Sequence, residues 1–366
     1  MASNTMAAVR LTGHGGLDRL EYRTDVAVPA PEPGEVRIRV AAAGVNNTDI
    51  NTRIGWYSKS VDADTGAGGA AGFVAVDDVD ATWSGRSLPF PRIQGADVCG
   101  YVDEVGEGVS RERLGERVLV RTMLRAPVAH RPFACWTLGS EIDGGFAQYV
   151  VVPDADTYAV RNDWSDAELA SIPCAYSTAE NMIRRAALGA ERVLVTGASG
   201  GVGLAAVALA ARRGAVVTAV CSSAKAAVVR AQGARRTLDR DADVVEALGT
   251  ASVDVVLDVV GGRRTSRLLD VLARGGRYAV SGAIGGPLAE IDLRTVYLQD
   301  LSLLGCTFQE DAVFADLVGY VERDEVRPVV SRTYPLEQIA RAQQDFLAKT
   351  LPGKLVLIPP DAGSSA

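Results

Sequence analysis

The chain has 366 residues, 48% of them hydrophobic, and a formal net charge of −7. That length predicts two domains with sizeable cores, and an acidic balance with no basic stripe argues against nucleic acid as a principal partner. The opening residues lack a charged segment followed by a long apolar run, and the most apolar stretch, "GLAAVALAA" at 203–211, is too short to cross a bilayer, so a soluble, cytoplasmic protein without a membrane partner is expected.

Strand signals come first along the chain. In "EVRIRVAAAGV" (35–45), Val36, Ile38 and Val40 alternate with polar neighbours, the period of a half-buried strand, and "RVLVRT" (117–122) and "AQYVVVP" (147–153) read alike. Between them lies "GVNNTDINTRIGWY" (44–57), either an ordinary turn or a reaction site lined by Asn46, Asn47, Thr48, Asp49 and Tyr57. Residues 58–90 are rich in Gly, Ala and Asp and have no periodicity. They read as a surface insertion or as a lid near Tyr57 packed through Phe73 and Trp83.

From about residue 160 the pattern changes. Ser165 and Glu168 form a capping-box signature that starts a helix, and "STAENMIRRAAL" (177–188) reads as a second. Apolar strands at 192–197, 215–220, 253–260, 276–282 and 301–308 then alternate with helices at about 201–213, 223–232, 263–273 and 311–322. Strand–helix alternation with nearly all-apolar strands signals an α/β fold with a parallel sheet covered on both faces. The tail from Tyr334 adds a helix and a last strand.

The five cysteines (Cys99, Cys135, Cys174, Cys221, Cys306) are scattered and form no C-x-x-C pair, which argues against a disulfide framework and a Cys-rich zinc lobe. Only Lys59, Lys225, Lys349 and Lys354 are lysines, against 38 basic residues, so each is conspicuous.

The strongest motif is "VLVTGASGGVG" (193–203), a strand running into a glycine turn and a helix. Ala198, Ser199, Gly200, Gly201, Val202 and Gly203 occupy the dinucleotide fingerprint frame. Gly200 lets the backbone approach a pyrophosphate, Gly203 lets the helix pack on the strand, and the opening amides face the phosphates. An NAD site places a carboxylate at the end of the next strand, but here Ser222, Ser223 and Lys225 follow it. With Arg240 as a second cation, that turn suits a 2′-phosphate, so NADP(H) is the expected cofactor.

Taken with "PEPGEVRIRVAAAGVNNTDI", "QGADVCGYVDEVGEGV", "GGFAQYVVVP", "VDVVLDVVGG" and "GKLVLIP", this motif makes the chain resemble the medium-chain dehydrogenase/reductase superfamily. The resemblance implies a GroES-like β-rich catalytic domain (1–160, completed by 309–366) and a Rossmann doubly wound domain (161–308). It also implies a cleft site between them and a dimer or tetramer. Asn46 and Thr178 would hold the nicotinamide or ribose, with Ser281, Gly282 and Ala283 beside it. Zinc-dependent members carry metal ligands at places held here by Asn46, Ala96 and Cys174, so no metal is expected; a rearranged Cys99/His130/Cys174 site stays open. Zinc-free 2-enoyl reductases carry a pattern matched by Asn46, Asp49, Ile50, Asn51, Gly55 and Tyr57, whose tyrosine protonates the substrate. Tyr57 is thus a candidate proton donor or a packed aromatic. Three readings follow: an NADPH-dependent, zinc-free reductase of activated alkenes or quinones; an alcohol dehydrogenase with an atypical metal site or none; or a protein that holds NADPH without turnover.

Overall fold

The computed structural model describes residues 5–73, 76, 79–125 and 133–361. Contacts divide the chain into a β-rich unit (Met1–Val61, Gly68–Cys174, Val330–Ala366) and a second unit (Asp62–Ala67, Ala175–Val329). Residues 161–174 thus group with the β-rich unit and 309–329 with the other.

In the β-rich unit the strand Glu35–Gly44 is the hub. It pairs antiparallel with Cys99–Val105, with Tyr149–Pro153 and with the C-terminal strand Lys354–Ile358. Its alternation is realised: Val36, Ile38 and Val40 are buried in one core with Phe146, Leu336 and Leu357. Burying side chains of this size stabilises by about 1.5–3 kcal/mol each, which fixes the strand's face and register. Because the register sets Val356 opposite Gly44, the far end of the chain lies under the turn that follows Gly44.

The polar stretch after that strand is a helix, Asn47–Ile54, and not an open turn. Asn46 caps it, Asp49 accepts the Asn46 amide at 2.7 Å, and Gly55 ends it at φ 73°, the left-handed region where glycine is unstrained. A Cβ on Gly55 would lie 2.5 Å from the Val76 side chain, so the insertion packs directly on this helix end. The fully buried Arg53 holds the insertion at a second point. Its guanidinium donates to Gly69 O (2.6 Å), Gly15 O (2.7 Å) and Gln343 Oε1 (2.8 Å). The expected capping box is present, with the Glu168 carboxylate on the Ser165 amide at 3.0 Å. Its helix is only Asp166–Leu169, since Pro173 opens the next one, Pro173–Arg185.

The second unit is one parallel sheet in the order Arg236–Asp239, Val216–Cys221, Arg192–Val195, Val253–Asp258, Leu272–Val280, Ser302–Gly305. Numbered within the unit this is 3-2-1-4-5-6, the Rossmann order, with its switch point beside Arg192–Val195. Helix Gly201–Arg212 falls where the sequence put it. Strand Arg236–Asp239 was unforeseen, since only Leu238 of its four residues is buried. The helix expected at 263–273 is confined to Thr265–Asp270, because the chain is already a strand from Leu272. Among the described residues no helix is long and apolar enough to cross a membrane.

Candidate functional site

The fingerprint turn lies at the carboxyl end of Arg192–Val195, where its glycines have different causes. Gly197 takes φ 56° and makes the tight turn, so the buried Ala198 can stand in the first fingerprint place. A Cβ on Gly203 would come 2.2 Å from Gly197 O, so this glycine is required for helix–strand packing. Gly200 is different: it is extended (φ −83°, ψ 176°), and among the described residues the only atom within 4 Å of a Cβ there is Gly197 O at 3.5 Å. Neither strain nor packing within the chain asks for glycine at 200, which leaves open backbone at the start of a twelve-residue helix. Such a cradle fits a pyrophosphate. Ser199, Gly201 and Val202 complete its rim.

The turn after Val216–Cys221 holds Ser222 and Lys225 half-buried and Ser223 exposed. Burial, and then the charge of Arg240, pull the Lys225 ammonium below its ordinary value, which places the two cations within electrostatic reach. Behind the glycine turn, the buried Asp258 carboxylate ties the strand ends together. It accepts the Thr196 hydroxyl (2.5 Å), the Tyr278 hydroxyl (2.5 Å) and the Val260 amide (2.9 Å). The sequence reading missed Asp258, whose signal was a lone carboxylate in the apolar run "VDVVLDVV". Ser281 donates to Cys306 O at 2.7 Å, and with Gly282 and Ala283 it lies at the end of Leu272–Val280; Thr178 is half-buried on Pro173–Arg185.

In the β-rich unit Asn46 and Tyr57 stand at opposite ends of the Asn47–Ile54 helix, separated by roughly 12 Å of rise. Asn46 is committed elsewhere. Its Nδ2 donates to Asp97 Oδ2 at 2.8 Å and its Oδ1 accepts from Lys354 Nζ at 2.6 Å. Lys354 Nζ also donates to Asp97 Oδ2 (2.7 Å) and Val45 O (3.1 Å), and Asp97 Oδ1 accepts the Cys174 amide at 2.6 Å. Lys354 is 3% exposed and Asp97 0%. Burial also pushes the nearby Asp49 carboxyl up to about 7, against the pull of the Asn46 amide. Lys354 was the conspicuous lysine that mattered here; its pairing spans 257 residues and left no local pattern.

Tyr57's partner is Thr48. The phenol donates to Thr48 Oγ1 at 3.2 Å, and the Trp83 indole N–H donates to the same oxygen at 2.6 Å. Trp56 and Trp83 flank the Tyr57 ring with centroids at 5.7 and 5.4 Å. The Ser84 amide then donates to Glu141 Oε1 at 3.0 Å and pins the loop. Burial, the largest cause, drives the Tyr57 pKa far above the usual phenol range, so the group stays protonated. The insertion therefore covers Thr48 and Tyr57, through Trp83.

Zinc-dependent members carry their ligands at the places held here by Asn46, Ala96 and Cys174. Ala96 offers a methyl, and the Asn46 amide oxygen is taken by an ammonium. Among the described residues no group of three or more His, Cys, Asp or Glu side chains could hold a metal ion. His130 lies outside the described residues.

Two family models match the chain: the alcohol dehydrogenase GroES-like domain over residues 32–162 and the zinc-binding dehydrogenase over 201–323. A quinone oxidoreductase of Rattus norvegicus is 30% identical, the match covering 96% of this chain and 98% of that protein. A solved structure from Sinorhizobium meliloti 1021, named as an alcohol dehydrogenase, is 43% identical with a TM-score of 0.86 over 98% of both chains. A cobalt- and zinc-bound thermostable alcohol dehydrogenase from Pyrobaculum aerophilum is 30% identical, with a TM-score of 0.80 over 97% of this chain and all of that one.

Proposed function

The chain belongs to the medium-chain dehydrogenase/reductase superfamily, and from that premise we propose that it is a zinc-independent, NADPH-dependent reductase of quinones or activated alkenes. The observation that carries this reading is the 2.6 Å bond from Lys354 Nζ to Asn46 Oδ1. In it the residue at a zinc-ligand place, Asn46, gives its amide oxygen to an ammonium. Reduction of an isolated carbonyl needs an electrophile for the developing alkoxide. A conjugated acceptor needs less, because its charge spreads to an oxygen that hydrogen-bond donors can hold.

NADPH, when bound, supplies two electrons and one hydrogen as hydride. The protein's own residues do the rest. The Gly200–Gly203 backbone and the opening amides of the Gly201–Arg212 helix receive the pyrophosphate, and Lys225, Arg240 and Ser222 meet the 2′-phosphate. Thr178 and Ser281–Ala283 are the candidates to orient the nicotinamide. In the β-rich unit Tyr57 and Thr48 hold a proton for the enolate carbon, which becomes basic once hydride has added to its neighbour. Trp56 and Trp83 pack against the ring that carries that proton.

The test is anaerobic NADPH oxidation by chelator-treated protein with 1,4-quinones, enones, enoyl thioesters and matched saturated carbonyls. Turnover confined to the conjugated acceptors is expected. Activity on saturated carbonyls, lost on chelation, would instead favour the second reading, an alcohol dehydrogenase with an atypical metal site. That reading draws on the 43% identity to the Sinorhizobium protein named as one. Tight NADPH binding with no turnover of any acceptor would leave a non-catalytic binder.

A homo-oligomer is also part of this proposal. Leu288, Leu293, Tyr297 and Leu298 are each more than half exposed, close in the chain to the sheet's edge strand Ser302–Gly305. Unpaired edges and apolar clusters of this kind are usually covered. Light scattering should give at least twice the 38.4 kDa of one chain, and a monomer would remove this part of the reading.

A further inference from the structure

The strand Val216–Cys221 ends without the carboxylate that an NAD site places there, but the neighbouring strand supplies one. In the parallel pairing Asp239 is the register partner of Cys221, which brings its side chain to the Ser222–Lys225 turn. Asp239 Oδ2 accepts the Ser223 hydroxyl at 2.6 Å and the Ser223 amide at 3.1 Å, while Oδ1 accepts the Asp241 amide at 3.0 Å. The residue is exposed, so its charge stands in solvent beside the turn.

We propose that Asp239 is a specificity-determining residue for the cofactor, and that it opposes Lys225 in the choice between NADPH and NADH. This rests on the reading that the 222–225 turn receives the adenosine ribose. Both donors of Ser223 are spoken for by Asp239, so a 2′-phosphate at this turn is left with Ser222, Lys225 and Arg240. The phosphate, carrying a charge of about −2, lies beside a fixed carboxylate that repels it. A 2′-hydroxyl meets the opposite situation: it can donate to Asp239, as it donates to the usual acidic residue of an NAD site. The site is then balanced, with two cations favouring the phosphate and one carboxylate favouring the hydroxyl. Asp239 narrows the preference for NADPH over NADH that the two cations set.

The experiment measures Kd for NADPH and NADH, and competition by adenosine 2′,5′-bisphosphate and 5′-AMP, on the wild type, Asp239→Asn, and the double variant Lys225→Ala with Ser222→Ala. Asparagine keeps an acceptor oxygen for Ser223 and removes the charge, together with the acceptor for the Asp241 amide, so Asp239→Ser is the second variant should the turn distort. Asp239→Asn is expected to raise the NADPH-to-NADH affinity ratio by about 5- to 30-fold, with the bisphosphate tightening as NADPH does and 5′-AMP weakening as NADH does. The Lys225/Ser222 variant is expected to lower the same ratio. If that double variant lowers the ratio while Asp239→Asn and Asp239→Ser leave it unchanged, the role of Asp239 is overturned and the placement of the ribose stands. If none of the variants moves the ratio, the placement of the ribose fails and the role of Asp239 falls with it. A wild type that binds NADH alone, and loses it in Asp239→Asn, would overturn the NADPH preference and support Asp239 as the ribose acceptor.

Discussion

Lys354→Met should lower the melting temperature of the β-rich unit by roughly 6–20 °C, the shift that corresponds to about 3–5 kcal/mol lost when one partner of a buried ion pair is removed. The size follows from what methionine leaves behind. Asp97 is completely buried and keeps its carboxylate, with the Asn46 Nδ2 and Cys174 amide bonds but without its counter-charge. Relaxation has little room: a Cβ on Gly44 would come 2.4 Å from Asp97 Oδ2, so the carboxylate is packed against backbone. The Asn46 Oδ1 acceptor loses its 2.6 Å donor as well. Adding Asp97→Asn to Lys354→Met removes the stranded charge and keeps an acceptor for the Cys174 amide, so the double variant should recover more than half of the loss. Calorimetry reads this directly, because a chain with two units gives transitions that a single unfolding free energy would blur. A Lys354→Met protein as stable as the wild type would mean that the ammonium is not what neutralises Asp97.

This network also marks how far the sequence could be read. The parallel-sheet unit was legible because its strands are continuous apolar runs and its glycine turn has a fixed frame; both are local signals. Arg236–Asp239 was not legible, since an edge strand with one buried residue has no period to detect, and the carboxylate it delivers went unseen with it. In the β-rich unit the helix Asn47–Ile54 was obscured by its polarity. Seven of its eight residues are buried, several of them polar and satisfied by partners far along the chain. How the insertion is held was not legible for a related reason. Arg53 holds it through the carbonyl of Gly69, and a carbonyl has no residue type to recognise. The pattern around Tyr57 was visible as a motif, but not what it bonds: Thr48 accepts from the phenol, while Asn46, expected at the nicotinamide or ribose, belongs to Lys354 and Asp97.

The bond from Tyr57 to Thr48 shapes the largest kinetic effect expected. Tyr57→Phe should reduce the rate with enones by a factor of ~10²–10⁴, the usual contribution of a positioned general acid, while leaving NADPH affinity unchanged. The phenol proton already points at Thr48 Oγ1, which also accepts the Trp83 indole N–H. With those two donors on it, the Thr48 hydroxyl must direct its own proton elsewhere. Thr48→Val should therefore reproduce much of the Tyr57→Phe loss, and the two together should cost little more than either one, the non-additivity of groups acting as a unit. Because burial holds the Tyr57 pKa far above the ordinary phenol value, the phenol stays protonated, and no alkaline loss of activity from its ionisation is expected below pH ~10. Quinones provide the internal control. Hydride transfer to a quinone leaves a stabilised oxyanion that water can protonate, whereas an enone must receive its proton at carbon, where transfer is slow without a placed acid. Tyr57→Phe should spare quinone reduction and suppress enone reduction in the same preparation. Equal rates on both acceptors in Tyr57→Phe and wild type would reduce Tyr57 to a packed ring between Trp56 and Trp83, and the proton would then have to come from solvent.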